Sequence, residues 1–220
     1  VYKRQTKSYA AGDYEHMWKL VFNGTRYSFF LLAVFILPLC FNIDFILSLW
    51  LKEIPAYTNI FVILFLANVL AESYSTYLIT VLLATGKIAF YQASVGTILL
   101  LNVPLSYLAF QWGYPPVSFL VVSIILTFAA SALRLFLLKK RFSFSITLFL
   151  RSVFLKTLLT ILLVSALNFM LLNLRSLLPY GNILVLLFSC LISMGGIYIL
   201  GLNSEERRIV IVQAKKYLHR

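Results

Sequence analysis

Apolar runs about 20 residues long, separated by short polar segments, constrain this chain more than any other feature. An α-helix needs roughly 20 residues to cross ~30 Å of hydrocarbon. The chain is 61% hydrophobic and only 12% charged, whereas soluble domains are about 25% charged. No alternating β pattern runs along the chain, and an open sheet would leave unsatisfied amides in lipid. The sequence therefore predicts an all-α polytopic membrane helix bundle.

Apolar runs and helix breakers divide the chain into six predicted spans. These are residues 27–43, 57–83, 88–110, 117–138, 152–172 and 183–202. On this interpretation residues 1–26 form a cytoplasmic segment, 27–138 hold four spans, 139–151 form a basic loop, 152–202 hold an additional pair of spans, and 203–220 form an amphipathic tail. The tail is either a helix on the membrane surface or a solvated segment.

The distribution of basic residues predicts the orientation of these spans. The chain has 19 Lys and Arg and a net charge of +12. Only Lys52 and Arg175 lie on one predicted side, and all the others lie on the opposite side. The positive-inside rule places the rich side, with both ends of the chain, in the cytoplasm. Because the basic residues occur in short segments between apolar runs, their expected partners are membrane lipids and not nucleic acid.

Polar residues in the second span predict the wall of a substrate cavity. Asn68, Glu72, Ser75 and Thr76 fall at i, i+4, i+7 and i+8, which places them on one side of a helix. Glu72 is the one acidic residue deep within a predicted span, where an ionisable group is costly unless it faces protein or water. These residues either contact a polar substrate or cation, or bond to neighbouring helices and hold the bundle together.

Polar residues in other spans extend the same hypothesis. Gln92 and Asn102 in the third span are candidate cavity residues, although Asn is also a common interhelical hydrogen-bonding residue. Three cations are candidate contacts for phosphate or lipid headgroups: Lys87, Arg134 and Lys156. Arg134 and Lys156 lie near predicted cytoplasmic ends, so they either serve a phosphate-bearing substrate or extend to the membrane surface.

No catalytic arrangement accompanies these residues. His16 and His219 lie in the predicted cytoplasmic segments, and Cys40 and Cys190 lie in apolar runs without metal-ligand spacing. No paired carboxylates and no phosphate-binding Gly-rich loop occur. The sequence therefore predicts no catalytic residues, no metal and no cofactor.

A series of short motifs occurs in order over residues 6 to 141. It comprises Thr6 to Asp13 before the first span, Pro38 within that span, Leu49 to Lys52 with Pro55 shortly after, Ala84 to Lys87, Asn102 to Ser106, and Arg134-Leu135 before Lys139-Lys140. In order and spacing this series resembles the polysaccharide and lipid-linked oligosaccharide flippases of the MATE-like exporter superfamily, which include the O-antigen (Wzx-type) translocases.

The resemblance implies a fold of two pseudo-symmetric lobes that enclose a cavity with alternating access. It implies that this chain corresponds to the last six spans of a fourteen-span protein, so that the N-terminal lobe is missing. The implied substrate is an undecaprenyl-pyrophosphate-linked glycan, moved across a bacterial inner membrane for surface polysaccharide assembly. The resemblance implies that residues 152–202 form an extra helix pair that some members of the family carry. The sequence of this pair matches the family least.

Three other functions stay open at this point. A multidrug or cation antiporter of the same superfamily would use Glu72 as an ion or proton site. A membrane enzyme of glycan assembly would need long outer loops with His, Asp or Arg clusters, whereas the outer loops here are short and nearly uncharged. A scaffold protein without transport activity is the third alternative.

Overall fold

The computed structural model describes residues 5, 7–9, 11–86, 88–142, 144–173, 181–203 and 206–208. Its six long helices are α1 (Tyr14–Phe41), α2 (Thr58–Ala84), α3 (Ile88–Gln111), α4 (Ser118–Arg141), α5 (Ile146–Leu172) and α6 (Gly181–Gly201). Each is long and apolar enough to cross a membrane. No strand occurs in the described residues, which confirms the predicted all-α bundle. The chain is a multi-pass membrane protein.

Helix α1 begins at Tyr14, well before the predicted start of the first span at Tyr27. Asp13 caps it, because the Asp13 carboxylate accepts a hydrogen bond from the His16 backbone N–H at 3.1 Å. Met17 and Val21 are fully buried one helical turn apart. Apolar runs alone did not indicate this part of the helix, because its buried residues alternate with polar ones. At ~1.5 Å per residue α1 is roughly 42 Å long, so it extends beyond the hydrocarbon.

Helix α3 is interrupted at Leu101. It consists of Ile88–Leu100 and Asn102–Gln111. Pro104 has no N–H to donate to the carbonyl group of Leu100, so a continuous hydrogen-bond ladder cannot pass this position. The sequence places Pro104 inside the third span, and the structure shows the local break that it causes.

Helices α5 and α6 both contain a turn of π-helix. In α5 the π-turn covers Leu150–Leu155, between the short helix Ile146–Phe149 and the regular helix Lys156–Leu172. In α6 the regular helix Gly181–Gly196 ends in the π-turn Ile197–Gly201. Such turns occur mostly as local bulges and often lie at functional sites.

The packing of the six helices places α1 and α2 near the middle of the bundle. Helix α2 packs chiefly against α1 and α4, and α3 packs chiefly against α4. Helices α5 and α6 pack against each other and against α1. A short helix, Ile43–Ser48, follows α1 and is too short to cross a membrane. Helix α3 lies at the edge of the bundle, where only 11% of its apolar window is buried.

An aromatic cluster fixes one end of the bundle. The ring centroids of Trp18 and Phe144 lie 4.6 Å apart, and those of Tyr9 and Phe142 lie 6.0 Å apart. These contacts join the start of α1 to the segment between α4 and α5. We call this the basic end, because the last turn of α4 there consists of Lys139, Lys140 and Arg141.

Candidate functional site

A polar seam joins α2 to α4 inside the bundle. Thr127 Oγ1 donates a hydrogen bond to Asn68 Oδ1 at 2.9 Å. Nearer the basic end, the hydroxyl oxygens of Ser75 and Ser131 lie 2.6 Å apart, and both side chains are buried. Because a buried hydroxyl without a partner is costly, these pairs satisfy groups that would otherwise destabilise the interface. Two predicted cavity residues, Asn68 and Ser75, therefore face α4.

Arg134 extends this seam to α3. Its Nη1 donates to Ser75 Oγ at 2.9 Å and its Nε donates to Tyr91 Oη at 3.2 Å. Arg134 is only 7% exposed, and no described carboxylate forms an ion pair with it. Hydrogen bonds from a charged donor are stronger than neutral ones, so this guanidinium connects α2, α3 and α4. Its side chain is directed into the bundle and does not extend to the membrane surface.

Asn68, Glu72, Ser75 and Thr76 lie along one side of α2, and we call this set the α2 stripe. Glu72 and Thr76 lie on the side of the stripe that α4 does not cover. Both side chains are exposed, whereas Ser75 is fully buried. At about 100° per residue, Glu72 is rotated by roughly 40° and Thr76 by roughly 80° from Asn68 around the helix axis. Helix α4 covers the Asn68 edge of the stripe and leaves the other edge uncovered. A carboxylate is costly against lipid, so this edge should face water or polar protein in the membrane.

Of the two third-span candidates, Gln92 lies at a different depth from Glu72. Gln92 is exposed, and Asn102 accepts a hydrogen bond from Ser106 Oγ within its own helix at 3.0 Å. Glu72 lies roughly 18 Å along α2 from its basic end, and Gln92 lies roughly 6 Å along α3 from its own basic end. Measured along the two helices, Gln92 therefore lies roughly 12 Å nearer the basic end than Glu72.

A second polar cluster lies between α1, α5 and the residues that follow α6. The Arg26 guanidinium forms an ion pair with the Glu206 carboxylate, and Lys156 Nζ donates to Asn203 Oδ1. Glu206 Oε2 also accepts the Asn203 backbone N–H at 2.7 Å. Lys156 was a predicted headgroup contact and is half-buried here. Lys87, another, lies outside the described residues, as does most of the predicted 203–220 tail.

Several residues of these clusters were missed in the sequence. Thr127 and Ser131 fall at an i, i+4, i+7 spacing with the predicted contact Arg134 on α4, the same signal that identified the α2 stripe. Asn203 and Glu206 have the spacing of a capping box, with the carboxylate bonded back to the cap residue. Tyr91 carried no such signal, because a tyrosine near the end of a span is typical of the aromatic belt.

Replacing Arg134 by Met tests whether this cation stabilises the bundle. We expect the free energy of unfolding to stay within about 1 kcal/mol of the wild type or to rise, because an apolar side chain avoids the desolvation cost of a buried charge that has no ion-pair partner among the described residues. Arg134→Lys keeps the charge but loses the fork of donors, so it should be less stable than Arg134→Met. Thermal unfolding in detergent, followed by the helical circular dichroism signal, measures both. A loss above about 2 kcal/mol in Arg134→Met would show that the arginine is retained for stability.

The chemistry available at the site is hydrogen bonding and charge pairing. Between α2 and α4 lie hydroxyl groups, the Asn68 amide and the buried Arg134 guanidinium. The Glu72 carboxylate is exposed on α2. No group of His, Cys, Asp and Glu in the described residues is arranged to hold a metal ion. Comparison with family models, with curated proteins and with solved structures finds no match to this chain.

Proposed function

We propose that this chain is part of a transporter that moves lipid-linked oligosaccharides across the bacterial inner membrane for surface polysaccharide assembly. The observation that carries this proposal is the exposed carboxylate of Glu72, beside exposed Thr76, on a helix of the membrane bundle. A polar face of this kind needs a polar counterpart within the membrane. Glycan hydroxyl groups supply both donors and acceptors for it, and the motif series of residues 6 to 141 favours the polysaccharide branch of exporters.

The proposed mechanism places the Glu72 face on a cavity between two lobes. In this proposal the N-terminal lobe of the same protein forms the opposite wall, and rocking of the lobes exposes the cavity to each side in turn. In this proposal α2, α3 and α4 move as one wall, and the hydrogen bonds from Arg134 to Ser75 and Tyr91 fix how these helices are arranged in it. The undecaprenyl chain stays in lipid, and the basic end faces the cytoplasm with both ends of this segment.

Complementation tests the proposal. The full-length gene is expressed in a bacterium that lacks its own glycan flippase, and surface polysaccharide is measured. We expect wild type to restore it and Glu72→Gln to lower the restored amount about ten-fold at equal membrane abundance, the effect of losing one charge-assisted hydrogen bond. The matched control is Glu53→Gln, an exposed carboxylate outside the six long helices, which should behave like wild type.

A cation-coupled antiporter is the second candidate, and the same carboxylate favours it. Glu72 has no ion-pair partner among the described residues, so a cation or proton is a possible ligand for it. If wild type restores no polysaccharide for several glycan types despite good expression, the flippase proposal is wrong. Cation-dependent efflux from inverted vesicles that is abolished in Glu72→Gln would then establish the antiporter.

A further inference from the structure

A groove between α3, α4 and the last turn of α2 lies near the basic end. Its cavity volume is about 480 Å³, within the range of ligand pockets. Its walls are mainly apolar and include Phe90, Leu133 and Leu137. The Phe90 side chain is 70% exposed, so the groove is open to the surroundings of the bundle. This surface includes the edge helix α3, most of whose apolar window is not covered by the rest of the bundle.

Two cations lie at one end of this groove. Lys140 and Arg141 both line it and belong to the last turn of α4. The Arg141 guanidinium lies 3.4 Å from the Thr85 carbonyl oxygen at the end of α2, which keeps it at the rim of the groove. No acidic residue of the described chain lines the groove. An apolar channel with a cationic end matches an acyl chain with an anionic headgroup.

We propose that this groove binds an anionic phospholipid of the bilayer. Its phosphate is bound by Lys140 and Arg141, and one acyl chain lies along Phe90, Leu133 and Leu137. The neighbouring Tyr91 also lines the groove, and its hydroxyl accepts the hydrogen bond from Arg134. The lipid therefore contacts a side chain that is hydrogen-bonded to Arg134. This inference does not depend on which molecule the protein transports.

Native mass spectrometry of the chain in an uncharged detergent tests the site. Phosphatidylglycerol is titrated against phosphatidylcholine with the same acyl chains. We expect wild type to bind phosphatidylglycerol about 30-fold more tightly, the effect of two cations on an anionic headgroup. Lys140→Gln with Arg141→Gln should abolish this preference. The matched control, Lys139→Gln with Arg151→Gln, removes two exposed charges outside the groove and should keep it.

A steric variant tests the groove without changing its charge. Ser94 lines the groove, and its hydroxyl donates to the Phe90 carbonyl oxygen of its own helix at 2.8 Å. Ser94→Phe should fill the groove and weaken binding of both lipids at least ten-fold while keeping the Lys140 and Arg141 charges. Equal affinity for the two lipids in wild type would overturn the proposal. An equal loss of the phosphatidylglycerol preference in the Lys139→Gln with Arg151→Gln control would also overturn it. Competition by glycerol phosphate as effective as that by the lipid would do the same, because it would indicate a site for free phosphate.

Discussion

Replacing Glu206 by Gln is expected to lower the free energy of unfolding by about 3 to 5 kcal/mol, because it leaves the buried Arg26 charge without its ion-pair partner. The two side chains are only 8% and 11% exposed, Arg26 Nη2 makes the ion pair, and the buried Arg26 Nε has no hydrogen-bond partner in the part of the chain that the structure describes. Gln keeps an oxygen that can accept the Asn203 backbone N–H, so the change removes the charge and little else. Thermal unfolding in detergent should show a midpoint lower by about 10 °C.

Two further variants separate this effect from a general loss of charge. Glu15→Gln breaks the pair with Lys19, whose side chains are 84% and 70% exposed, and should change stability by less than about 1 kcal/mol. Arg26→Met combined with Glu206→Gln removes both charges and should recover most of the lost stability. If Glu206→Gln and Glu15→Gln shift the midpoint equally, the pair does not hold the residues after α6 against α1.

The sequence indicated the six spans because each apolar run is long and ends in a turn or a charged residue. Run length and helix breakers are local properties of the sequence, so they predict the spans without knowledge of how the helices pack. The start of α1 was missed because Met17 and Val21 are buried by other parts of the protein and not by lipid. A helix that buries one side against aromatic residues at the basic end has no apolar run for hydropathy to detect.

The sequence could not predict which residues of the α2 stripe are buried and which are exposed. Asn68, Glu72, Ser75 and Thr76 share one side of the helix, but which of them is covered depends on where α4 crosses. The crossing is set by packing between helices distant in sequence, which a pattern within one helix does not record. The same limit applied to Arg26 and Glu206, which are far apart in the chain and meet because α6 returns beside α1.

The second large effect concerns the close contact between α5 and α6. Gly196 lies against Val164, and a Cβ atom at Gly196 would be 2.7 Å from the Val164 Cγ2 atom. Val164 is fully buried and β-branched, so it has little freedom to move aside. On the same face of α6, Ser189 donates to Asn168 Oδ1, and Asn168 Nδ2 donates to Ser193 Oγ at 3.2 Å. Small residues at this interface let the two helices approach closely enough for these bonds.

Gly196→Leu is therefore expected to lower the free energy of unfolding by about 3 kcal/mol, through overpacking and loss of the bonds to Asn168. The neighbouring Gly195 supplies the control, because a Cβ atom there meets nothing within 4 Å. Gly195→Leu should leave stability unchanged or raise it by up to about 1 kcal/mol, the gain in helix propensity over glycine. The two thermal midpoints should differ by about 10 °C. Equal midpoints would mean that α5 and α6 are not in close contact at Gly196. They would also contradict the hydrogen bonds between Asn168 and α6, which require this close contact.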